Sequence, residues 1–93
     1  MINFRVLFID YIPDSCAEED MKTMKRKAFA LKESLTNGPL VIFNDQVIVE
    51  KNSHSKYYTV IIDNIPDGYV KKVLKICKKA KPACIKINYN HRD

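Results

Sequence analysis

Apolar and polar positions alternate in some stretches of the chain and recur every three or four residues in others, and the switches between these periods divide it into elements. Residues 3–12, NFRVLFIDYI, alternate well enough for a strand and are dominated by β-branched and aromatic side chains. Pro13-Asp14-Ser15 breaks that strand. Ser15 with Glu18 three residues on makes a capping-box pattern, and Glu19 and Asp20 also suit a helix N-terminus. Ala17, Met21, Met24, Ala28, Leu31 and Leu35 then set one apolar stripe on an amphipathic helix. Asn37-Gly38-Pro39 stops it, with a left-handed cap residue and a proline. Leu40–Phe43 and Val47–Val49 are β-rich around Asn44-Asp45-Gln46, which fits either one bulged strand or a tight hairpin. After the polar stretch 51–55, Tyr57–Ile65 forms another strand, broken by Pro66-Asp67-Gly68. Val70, Val73, Cys77 and Ala80 mark a second helix, ended by Lys81-Pro82. Ala83–Tyr89 is a last strand, with Ile85, Ile87 and Tyr89 alternating against Lys86 and Asn88.

The punctuation occurs twice. IDYIPDSC at 9–16 returns as IDNIPDGY at 62–69, each closing a strand and opening a helix. Two βαβ units describe an α+β, ferredoxin-like (split βαβ) βαββαβ sandwich, an antiparallel sheet with two helices on one face and the other face open. The segment 40–50 adds a hairpin in one of its two readings. A chain of 93 residues makes this a single domain, 1–93, near the lower end of what buries a self-sufficient core.

Pleating then assigns faces. With Leu7 and Ile9 toward the helices, Phe4, Val6, Phe8 and Asp10 point outward. The repeat offset places Val60 and Ile62 inward and Tyr57, Thr59, Ile61 and Asp63 outward, and the last strand adds Lys86 and Asn88. On this expectation Phe4, Phe8, Tyr57 and Ile61 cluster on the uncovered face, where rings could stack on bases. The same apolar face, with Phe4, Val6, Phe8 and Ile61, could instead pair with a second copy or a partner protein.

Composition adds a charge asymmetry. The apolar fraction of 46% and charged fraction of 29% fit an ordinary globule. Residues 1–67 hold eight Lys and Arg against ten Asp and Glu, whereas residues 68–92 hold eight Lys and Arg and no acid. Lys71, Lys72, Lys75, Lys78 and Lys79 lie off the apolar stripe of the second helix, and Lys22, Lys25, Arg26 and Lys27 make a milder patch on the first. Solvated helix faces are commonly lysine-rich, but an acid-free surface also suits a phosphate backbone or an acidic protein surface. No apolar run approaches a membrane span of roughly 20 residues. Asp10 interrupts the apolar start, against a signal peptide, and the odd count of three cysteines (Cys16, Cys77, Cys84) argues against a disulfide framework, so cytoplasmic residence is expected. His54 and His91 are isolated, and no metal or cofactor is expected.

Leu7-Phe8-Ile9-Asp10-Tyr11-Ile12 resembles the first strand of RNA recognition motif domains, with Tyr11 where that family has Asn. The resemblance implies a base-stacking role for Phe8. KYYTVIID, at 56–63, departs from the family's glycine-containing motif and offers one outward aromatic, Tyr57. Asp10 and Asp63, at equivalent strand ends, are similar to the aspartate of the small ferredoxin-like nucleases of CRISPR adaptation. The arginine-rich opening of helix one in those nucleases is replaced here by Glu18, Glu19 and Asp20. The arginine-glycine phosphate loop of the short phosphatases of this fold is also missing.

The expected function is therefore a small non-enzymatic module binding RNA or another nucleic acid. Phe4, Phe8 and Tyr57 would stack, and Lys71, Lys75, Lys78, Lys79 and Lys86 would attract phosphates. The alternatives are a protein-binding inhibitor or adaptor working through the same face as a homodimer, of the kind phage proteins direct at a host enzyme or defence system, and a metal-dependent nuclease.

Overall fold

The computed structural model describes residues 1–9, 18–38, 40, 42–52 and 57–89. Four strands, β1 (Ile2–Ile9), β2 (Val47–Asn52), β3 (Tyr57–Ile65) and β4 (Cys84–Tyr89), and two helices, α1 (Glu18–Thr36) and α2 (Val70–Lys79), run in the order βαββαβ. The strands form one antiparallel sheet in the order β2-β3-β1-β4. This α+β arrangement is compatible with the expected ferredoxin-like architecture. No helix of the described residues is long and apolar enough to cross a membrane.

One core joins the two layers. Met24, Ala28, Leu31 and Leu35 of α1 and Val73 and Cys77 of α2 are buried against Ile2, Phe4, Val6 and Phe8 of β1, Val47 of β2 and Tyr58, Val60, Ile62 and Ile65 of β3. Ile85 and Ile87 of β4 pack at its edge. Among the described residues no polar or charged residue is buried.

The face expected for β1 is reversed. Phe4, Val6 and Phe8 are 0, 0 and 2% exposed and lie beneath the helices, not on the open face. Partners across an antiparallel ladder share a face, and Phe4 pairs with Ile62, Val6 with Val60 and Phe8 with Tyr58. Energetics decide the matter. Burying a Phe or Val contributes roughly 1.5–3 kcal/mol, whereas the opposite phase would bury Asn3 and Arg5 with Leu7, and an unpaired buried charge costs several kcal/mol. The repeat offset therefore does not carry the pleat: it equates Leu7 with Val60 and Phe8 with Ile61, which lie on opposite faces.

A bulge explains part of this mismatch. The β1–β3 register slips between the Ile2–Ile65 and Phe4–Ile62 pairs, so Asn3 stands against two residues, Asp63 and Asn64. Asn64 takes the left-handed conformation (φ 58°). The extra residue lets both Ile62 and Ile65 reach the core, which strict alternation forbids; both are 0% exposed.

Among the described residues of this segment, 40 and 42–50, there is neither the bulged strand nor the hairpin. Leu40 and Ile42 are buried but unpaired in the sheet, a 3-10 turn spans Asn44–Gln46, and only β2 follows. Gln46 holds this turn to the bulge. Its Oε1 accepts from the Phe43 N–H at 2.9 Å, and its Nε2 donates to the carbonyls of Asp63 (3.3 Å) and Asn64 (3.1 Å).

The helix stops are also exchanged. Neither Asn37 nor Gly38 has positive φ, so α1 does not end in a left-handed cap. Gly38 is needed for close approach, because a Cβ there would come within 2.5 Å of the Ser34 carbonyl oxygen. The left-handed residue is instead Lys81 (φ 52°), after α2 and before Pro82. Ser15 of the capping box, Asp10, Cys16, His54 and His91 lie outside the described residues.

Candidate nucleic-acid interface

With β1 reversed, the open face of the sheet has a different membership. Lys86, Arg5, Ile61 and Ile48 form one row across all four strands, and Cys84, Leu7, Thr59 and Glu50 form the next. Tyr57, Ile61 and Lys86 stand on this face as expected; Phe4, Val6 and Phe8 do not. Leu7, Tyr57 and Ile61 are half-buried, Arg5 and Lys86 exposed, and Ile48 is 45% exposed. Charge divides across the sheet, with Arg5 and Lys86 on the β1–β4 side and Glu50 and Asp63 on the β2–β3 side. The face thus retains one aromatic residue of the expected cluster and mixes both signs.

The places of Arg5 and Leu7 on this face are legible in the parity of β1. Asn3, Arg5 and Leu7 share one parity and Ile2, Phe4, Val6 and Phe8 the other, and polar residues in the first set identify the exposed side.

The helix layer carries the stronger field. Lys71, Lys72, Lys75, Lys78 and Lys79 are all exposed, while Val73 and Cys77 anchor α2 from beneath. Lys71, Lys75, Lys78 and Lys79 surround Leu74 at a shallow depression. No acid interrupts the sequence of α2, so its cations are not neutralised from within the helix. Lys78 and Lys79, in the last turn, also complement the helix dipole. Lys75 and Lys79 are spaced to stack one turn apart, about 6 Å along the axis.

The two helices present one continuous outer surface. A groove of about 410 Å³ between them is lined by Lys27, Ala30, Leu31 and Ser34 of α1 and Ile76, Lys79 and Ala80 of α2. Lys22, Lys25 and Arg26 are exposed farther along α1. A polyanion laid across the helix layer would meet cations from both helices, with no need of the sheet.

Of the described cysteines, Cys77 is buried and Cys84 exposed, both as free thiols. Burial pushes the Cys77 thiol up to about 12, leaving it protonated and unreactive. Among the described residues no group of three or more His, Cys, Asp or Glu side chains is arranged to hold a metal ion.

No protein-family model matches the chain, the RNA recognition motif included, and no curated protein shows significant similarity to it.

Proposed function

We propose that this protein is a small non-enzymatic binding module of ferredoxin-like fold that engages RNA or another nucleic acid through the outer surface of its helix layer. The observation that carries the reading is the acid-free α2, with Lys71, Lys72, Lys75, Lys78 and Lys79 all exposed beside further cations on α1. Lysine acts as a point charge, suited to phosphates and indifferent to base identity, so the binding is electrostatic and loses affinity steeply with salt. Tyr57 and the Arg5–Lys86 pair give the sheet a lesser share. Free thiols at Cys77 and Cys84 fit a reducing compartment such as the cytoplasm. Anisotropy titration of mixed-sequence oligonucleotides across a salt series tests the reading; no binding at low salt contradicts it.

A second reading rests on the open face of the sheet. Ile48, Ile61 and Leu7 form an apolar diagonal between a cationic and an acidic margin, a pattern that could complement a second copy of itself. This is the homodimer or protein-inhibitor alternative, now supported by these residues in place of Phe4, Val6 and Phe8.

A further inference from the structure

Phe29 is 47% exposed, while Phe4 and Phe8 are buried. Its position on α1 explains why it has no place in the core. Met24, Ala28, Leu31 and Leu35 form the buried stripe, and at 3.6 residues per turn Lys22, Arg26 and Phe29 fall on the side away from it, with Lys25 on its flank. These four residues line one shallow pocket of about 360 Å³. Phe29 lies three residues beyond Arg26 and four beyond Lys25, the spacings at which side chains on a helix surface meet. Exposed Glu33 stands one turn after Phe29. Lys22 and Phe29 are seven residues apart, about 10 Å along the axis, so the site has room for one or two nucleotides.

We propose that this pocket is a stacking site for a base of single-stranded nucleic acid, with Phe29 as the platform and Lys22, Lys25 and Arg26 holding the adjoining phosphates. The proposal rests on the nucleic-acid reading above and adds to it the strand type and the ring that selects it. The α2 lysines meet phosphates alike in single strands and duplexes. A duplex keeps its base faces stacked on one another, whereas a single strand offers them to an exposed ring. Cations one turn from the ring hold the strand while a base finds it, and Arg26 can stack as well as pair.

The chain has no tryptophan, so Phe29→Trp installs a single indole reporter at the site. Mixed-sequence single-stranded and duplex oligonucleotides are titrated against wild type, Phe29→Trp and Phe29→Ala by anisotropy, with indole emission followed for Phe29→Trp. The expected result is quenching by the single strand and retained affinity in Phe29→Trp. Phe29→Ala is expected to weaken single-strand binding by about 5- to 150-fold with unchanged salt slope and unchanged duplex affinity. Binding of the single strand with neither quenching in Phe29→Trp nor weakening in Phe29→Ala overturns the stacking site and leaves the electrostatic reading intact. Absence of binding to either strand type at low salt overturns both. Circular dichroism of each variant confirms that this solvent-facing position leaves the helix formed.

Discussion

The backbone N–H of Asn64 donates to the side-chain Oδ1 of Asn3 at 2.9 Å, across the point where β1 and β3 slip register. This bond, with the two from Gln46, holds a bulge that turns Ile65 into the core. Asn tolerates the left-handed backbone that the bulge requires, and a β-branched residue does not. Asn64→Val is therefore expected to destabilise the fold by about 1–2 kcal/mol and Asn3→Ala by about 0.5–1.5 kcal/mol. Asn64→Gly should cost little, since glycine accepts the same φ. Urea denaturation of the three variants checks the order; Asn64→Val as stable as wild type would remove the structural role assigned to the bulge.

Phe8 and Phe4 are core residues, and their truncation examines the fold, not the partner. Phe8→Ala is expected to cost about 3–5 kcal/mol, a large part of the 5–15 kcal/mol that stabilises a typical domain. The measurement is the shift in denaturation midpoint. A Phe8→Ala protein with wild-type stability would place Phe8 back on an open face.

Cys77 links stability to pH. Its folded thiol is pushed up from 9.0 to about 12. Above pH 9 the unfolded thiol ionises while the folded one stays protonated, so the unfolded chain binds fewer protons and unfolding is favoured as pH rises. The contribution is complete below pH 9 and is lost as pH climbs toward 12. The stability gap between wild type and Cys77→Ala should shrink over that range. In a Cys16→Ser background at neutral pH, a thiol reagent should label exposed Cys84 rapidly and buried Cys77 only on unfolding.

The element order was legible because hydrophobic period and Pro-Gly punctuation report local structure; Met24, Ala28, Leu31 and Leu35 of the first stripe and Val70, Val73, Cys77 and Ala80 of the second reappear as core contacts, while Ala17 and the Met21 side chain lie outside what is described. The faces of β1 were lost for a specific reason. Placing Leu7 and Ile9 toward the helices ignores the parity of Asn3 and Arg5, whose polar side chains mark the exposed side, and the likeness between IDYIPD and IDNIPD does not fix the phase of the pleat across the bulge. The bulge at Asp63–Asn64 was not visible in the sequence, because it depends on side chains of Asn3 and Gln46 that arrive from other parts of the chain. Leu40 and Ile42 looked like strand residues because loop residues anchored in a core share strand composition. The exposure of the α2 lysines needed no tertiary information, since the apolar residues Val70, Val73, Ile76 and Cys77 take the inner side of the helix and leave the lysines outside.

The open sheet face makes its own commitment. If Ile48, Ile61 and Leu7 join two copies, sedimentation velocity should show a dimer that Ile48→Asp converts to monomer without loss of folded structure. A wild-type monomer at all concentrations removes the dimer reading and leaves the helix layer as the working surface.

In the proposed function the α2 lysines carry the phosphate contacts. The deciding measurement is the salt dependence of oligonucleotide affinity for wild type and for the combined Lys71→Gln, Lys75→Gln, Lys78→Gln, Lys79→Gln variant. Each single-strand phosphate contact contributes about 0.7 to the slope of log affinity against log salt. The variant is expected to bind far more weakly at low salt and to lose about 0.7 of slope for each lysine that had met a phosphate. Equal affinity and equal slope in the two proteins would contradict the assignment of the helix layer as the nucleic-acid surface.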